Sequence, residues 1–151
     1  MGLSDLNSTL IAYGICESEE IKGCSEGEIA KLEESSGVRL PTKYKDFLKK
    51  IGNGAGGVFR GTDIFLSAIV GLNEEAAALL KENGEDFSLP IDAFVFLMHQ
   101  GYEFSYFCAS EGENPPVYQY VEGGGPPVLT WQSFTDFLMD AIKSHAGSLR
   151  N

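Results

Sequence analysis

Between Lys81 and Lys143 the chain contains no lysine or arginine. The same interval carries Glu82, Glu85, Asp86, Asp92, Glu103, Glu111, Glu113, Glu122, Asp136 and Asp140. Over the full 151 residues, 22 acidic side chains outnumber 11 basic ones, a formal net charge of −11. A chain so short of cations offers little to phosphate oxygens, which excludes direct binding of DNA or RNA and attachment to an anionic membrane surface. Cysteine and histidine are scarce too. Cys16, Cys24 and Cys108 form an odd set with no framework spacing, so reduced thiols in a cytoplasmic protein are expected. His99 and His145 stand far apart, and Cys16 and Cys24 have no matching pair, so no metal site is expected. No apolar run reaches the length of a membrane span, and no basic stretch followed by an apolar core opens the chain, so neither a transmembrane helix nor a signal peptide is expected.

What is present is enough apolar material for one core. At 151 residues and 43% hydrophobic, a single domain over residues 1–151 is expected. Ser4 is placed to cap a short helix over residues 4–13, with Leu6, Leu10 and Ile11 on one face. Ser25 and Glu28 form a capping box for a second helix, closed by Gly37. Residues 38–41 are extended, because Pro41 disfavours helix in the residue before it. Thr42 then caps a third helix with Tyr44, Phe47, Leu48 and Ile51 on its apolar side.

Residues 52–57 match G-x-G-x-x-G literally, yet they follow a helix rather than a strand, so a dinucleotide role is not expected. Short strands are expected over 58–60 and 64–66, and a helix capped by Asn73 and ended by Asn83 and Gly84. Three strands follow between Phe94 and Val121, the first two joined by a two-residue turn at Gln100 and Gly101. That turn pairs His99 with Tyr102, Leu97 with Phe104, Val95 with Tyr106, and Phe94 with Phe107. Residues 110–116 and 123–127 read as loops. Ser133 caps a last helix bearing Phe134, Phe137, Leu138, Ala141 and Ile142, with a frayed tail from Gly147. Helices first, then a mainly antiparallel sheet, then a closing helix, is an α+β arrangement.

No catalytic constellation emerges. A Cys–His pair would need Cys108 and His99, but the hairpin register sets them roughly 20 Å apart. The neighbouring carboxylates, such as Glu33 with Glu34 or Glu111 with Glu113, read as solvated charge. Surfaces remain. Tyr102, Tyr106, Tyr118 and Tyr120 fit two roles, contact with a partner or packing in the sheet with the hydroxyl exposed. The candidate partner-binding residues are Glu111, Glu113, Asn114, Tyr118 and Tyr120.

The order of motifs resembles the SUKH superfamily of Smi/Knr-like proteins, over residues 25–145. It runs through Glu28-Ile-Ala-Lys-Leu-Glu33, Gly37-Val-Arg-Leu-Pro41, Tyr44-Lys-Asp-Phe-Leu48 and Asn53-Gly54. Phe94 to Gln100, Gly101-Tyr102, Pro116-Val-Tyr118 and Ser133-Phe-Thr-Asp-Phe-Leu138 complete it. The resemblance implies a curved, mostly antiparallel sheet with helices packed against it, no common catalytic residues and no cofactor. It implies structural roles for Leu40, Pro41, Tyr44, Phe47 and Leu48. It also implies a non-enzymatic protein-binding role, foremost as an immunity protein that neutralises a cognate toxin, often a basic nuclease, by stoichiometric binding. A regulatory interaction module unrelated to toxins ranks second, and an enzyme using the carboxylates third.

Overall fold

Residues 5–150 are described by a computed structural model, with side chains through His145. Six helices lie in it: α1 (Leu6–Ala12), α2 (Glu26–Ser36), α3 (Thr42–Ile51), α4 (Leu66–Ile69), α5 (Leu72–Glu82) and α6 (Phe134–Arg150). Strands β1 (Ile21–Lys22) and β2 (Gly54–Ala55) form a small antiparallel pair. The main sheet is an open antiparallel meander of β3 (Thr62–Asp63), β4 (Ala93–His99), β5 (Glu103–Cys108), β6 (Val117–Val121) and β7 (Val128–Trp131), in that spatial order. The fold is α+β, as expected.

The helix signals with local chemistry hold. Ser25 Oγ accepts from the Glu28 N–H at 3.1 Å, while Glu28 Oε1 accepts from the Ser25 N–H at 2.9 Å. Gly37 ends α2 at φ 73°, a left-handed conformation that costs glycine little. Ser133 Oγ accepts from the Asp136 N–H at 3.1 Å to start α6, and α6 continues to Arg150 where a frayed tail was expected from Gly147. Ser4 and Asn151 lie outside the described residues; in α1, Leu6 and Leu10 are buried but Ile11 is exposed.

Three expectations are corrected by contacts from elsewhere in the chain. Thr42 is the first helical residue of α3 and Pro41 occupies the cap position, so the cap must come from another segment. Asn73 does not cap α5, whose cap position is Gly71; its side chain bonds the sheet instead. Residues 58–60 form a turn, and the strand falls on Thr62 and Asp63 rather than on 64–66, because Leu66 already begins α4.

The central hairpin turns through Gln100 and Gly101, at φ 53° and 78°. Its register near the turn differs from the expected one: His99 pairs with Glu103, and Tyr102 stays in the loop, its N–H donating to His99 O at 3.2 Å. A bulge between Val95 and Leu97 absorbs the extra residue, so Val95 still meets Tyr106 and Phe94 still meets Phe107. On the turn side of the bulge, the longer loop sets Met98, rather than Leu97, opposite Phe104.

Both sheet faces are covered over this hairpin. On one, Phe94 and Phe96 stack on Phe107 at 5.5 and 5.4 Å between ring centres. Tyr44 of α3 packs 5.1 Å from Phe107 and 5.5 Å from Phe134, and Phe96 lies 5.0 Å from Phe137 of α6. This aromatic cluster joins α3, the sheet and α6, and burial of such rings supplies the largest apolar areas in a core. The other face carries Phe104 against Tyr120 at 5.2 Å and Tyr106 stacked on Tyr118 at 5.0 Å.

Candidate protein-binding surface

After β5 the chain makes one tight helical turn at Ala109–Glu111 and reaches β6 at Val117. The segment between is short, polar and pinned. The Ser110 N–H donates to Asp92 Oδ2 at 2.8 Å, and the Ser110 side chain, with this N–H next, holds the Asp92 carboxyl below its ordinary range. The Glu113 carboxylate accepts from the Thr42 N–H at 3.2 Å and from the Thr42 hydroxyl, while the Lys43 N–H donates to Glu113 O at 3.0 Å. An acid from this loop therefore caps α3, where Pro41 has no side-chain oxygen to do so. Asn114 serves α6 in the same way. Its Oδ1 accepts from the Thr135 N–H at 3.1 Å and its Nδ2 donates to Thr135 Oγ1 at 2.9 Å.

The two tyrosines of β6 differ. Tyr120 is fully buried and its hydroxyl accepts from Asn83 Nδ2 at 2.9 Å, so its ring belongs to the core. Tyr118 is half-buried, and its hydroxyl donates to both carboxylate oxygens of Glu111, at 2.9 and 3.1 Å. Burial, with the hydrogen bond to Glu111 next, pushes the Tyr118 phenol up to about 12. Thus Glu111 and Tyr118 form one solvent-facing pair, Glu113 and Asn114 point back to helix starts, and Tyr120 packs inside.

Reading the sequence missed an apolar edge beside this loop. Val128 and Leu129 of β7 are 59% and 43% exposed, and Val121 of β6 is 39% exposed. The signal was present: Val-Leu-Thr-Trp is a β-prone run bounded by Pro127 and Ser133. Trp131 anchors β7 to α6, its ring 5.1 Å from Phe137 and its Nε1 donating to Asp140 Oδ2 at 3.2 Å.

Reactive chemistry is muted. Burial pushes the Cys24 thiol up to about 11 and Cys108 to about 12, with carboxylates adding to each rise, and Cys16 is raised for the same reasons. Cys108 sits opposite Ala93, as the hairpin register predicts, and His99 bonds Thr62 Oγ1 through Nδ1 at 2.8 Å, so the two do not meet. A crevice of about 290 Å³ runs between the end of α2 and the α4–α5 junction, lined by Leu32, Ser35, Asn73, Glu74, Phe94 and Val95 among others. Its lining holds one carboxylate, Glu74, and two hydroxyls, Ser35 and Ser36, which donate to Leu32 O and Glu33 O within α2.

The family model described as SMI1-KNR4 cell-wall, SUKH_6, matches residues 26–138. The chain belongs to the SUKH superfamily. No curated protein matches it. SUKH domains are generally non-catalytic and act through protein–protein contacts, and no helix among the described residues is long and apolar enough to cross a membrane. In this SUKH domain the motif residues Leu40, Pro41, Tyr44, Phe47 and Leu48 are all buried, joining α2 to α3 and packing α3 on the sheet.

Proposed function

We propose that this SUKH domain is a cytoplasmic immunity protein that neutralises a cognate toxin by forming a stoichiometric complex, with no turnover and no cofactor. The observation that carries this reading is the one-signed charge of the sheet half. From Glu82 to Ile142 every formally charged side chain is acidic, while the lysines gather on α3 and its surroundings. Such a field speeds encounter with a basic protein, and nuclease toxins are basic because they bind phosphates. Tyr118 supplies at that surface an aromatic of the kind enriched at protein interfaces, and Glu111, bonded to it, a charge suited to their polar rim. Glu113, Asn114 and Tyr120 act behind it by fixing the loop and the strand.

The test is co-expression with the protein encoded beside this chain, reading host growth and complex mass together. Restored growth with a one-to-one complex supports immunity. Unrelieved toxicity, with capture of a housekeeping protein instead, favours a regulatory module.

A further inference from the structure

The main sheet ends differently at its two edges. On one side β3 pairs only with Met98 and His99 of β4. The remaining edge of β4 is closed by Asn73, whose Nδ2 donates to Ala93 O at 2.9 Å and whose Oδ1 accepts from the Val95 N–H at 2.8 Å. One side-chain amide thus copies the donor and acceptor of a neighbouring strand and blocks another from adding there. The opposite edge has no further strand beyond it among the described residues. β7 is the outer strand, paired with β6 alone among the described residues. Its four residues, Val128 to Trp131, carry no charge and no proline; its protection is its shortness and a bulge at Thr130, whose hydroxyl donates to Val128 O at 3.1 Å. Val128 and Leu129 are adjacent, so they project to opposite faces and flank any added strand. Glu122, Asp136 and Asp140 are exposed on the elements next to β7, with no cation in the interval that contains them.

We propose that β7 is the docking edge of this protein, where an extended segment of a partner, apolar at its centre and flanked by lysine or arginine, adds as a further strand. This rests on the protein-binding reading above and names its surface. Main-chain hydrogen bonds supply affinity, Val128 and Leu129 grip the apolar centre, and the acids attract the flanks. A second copy of this chain would bring like charges to the same edge, which disfavours self-pairing.

The probe is the peptide Lys-Lys-Val-Thr-Val-Thr-Val-Lys-Lys, with a counterpart carrying glutamate for every lysine. Amide hydrogen exchange of the full chain is followed with each, and affinity by fluorescence anisotropy. The basic peptide alone is expected to slow exchange at residues 128–131. Val128→Lys and Leu129→Lys are each expected to weaken it about tenfold or more, by placing a like charge at the edge. Thermal unfolding should be unchanged, because both side chains are exposed. Val70→Lys, at a position 68% exposed near α5, should retain binding. Protection elsewhere, equal binding of the two peptides, or protection of β7 that rises with chain concentration without peptide would overturn strand addition by a basic partner. If a toxin is neutralised while β7 exchanges freely in that complex, docking at β7 is excluded and immunity stands. If the basic peptide pairs with β7 and no toxin is neutralised, the edge stands and immunity does not.

Discussion

Tyr44 lies at the centre of the aromatic cluster with its hydroxyl buried and without a hydrogen-bond partner among the described residues. Burial drives its phenol well above the ordinary range, with the Cys24 thiol adding to the rise. An unsatisfied buried hydroxyl is a cost, so Tyr44→Phe is expected to raise stability by about 1 kcal/mol, read from the urea midpoint at unchanged slope. The thiols give a second residue-scale expectation. With Cys24 near 11 and Cys108 near 12, native protein at pH 8 should react with a thiol reagent only slowly, and all three cysteines at once after unfolding. The sign in pH follows. Thiols and phenols whose values are raised by folding stabilise the protein fully below their unfolded values, near 9.0 for cysteine and 10.0 for tyrosine. That contribution is lost as pH rises through the folded values, so denaturation midpoints should fall progressively from pH 9 to pH 12.

Elements here are held by side chains from distant segments. Glu113 bonds Thr42 across 71 residues of sequence, and Asn73 bonds β4 across about 20. Glu113→Ala removes the cap of α3 and should cost about 1 kcal/mol in denaturant unfolding. Asn73→Ala leaves the Ala93 carbonyl and the Val95 N–H without partners and should cost about 1–3 kcal/mol, with faster amide exchange at Val95. These same contacts mark the limit of legibility. The capping box at Ser25, the cap at Ser133 and the stripe on α3 could be read because donor, acceptor and apolar neighbours lie within one or two turns. Thr42, Asn73 and the shifted hairpin register were misassigned because the deciding partner is remote, or because the bulge at Phe96 offsets the extra loop residue.

On the scale of the whole molecule, charge is separated from the core rather than used within it. Among the described residues one ion pair is present, Lys45 with Glu33 at 3.7 Å on the surface, and such a pair contributes little. Asp92, Glu113 and Asp140 bond within the fold, and no acid of the sheet half is paired with a cation among the described residues, so their field acts outward. Glu111→Lys, tested on the complex with an identified basic partner, is expected to slow association while leaving dissociation nearly unchanged, and added salt should slow the original chain in the same way. Stopped-flow rates at two ionic strengths check this. Glu113→Lys is the poorer probe, because it removes the α3 cap together with the charge.

The sequence by itself determined the α+β class, the apolar faces of α3 and α6, the β4–β5–β6 order and the acidic sheet half. Each follows from periodicity, from caps closed within a few residues, or from composition, and none needs the rest of the chain in place. Only the tertiary structure decided that Glu113 and Asn114 cap helices, that Tyr120 is core while Tyr118 meets Glu111, and that Asn73 seals one edge of the sheet while β7 stays open. The reason is physical: a polar side chain's role is set by the group it reaches, and folding chooses that group from anywhere along the chain.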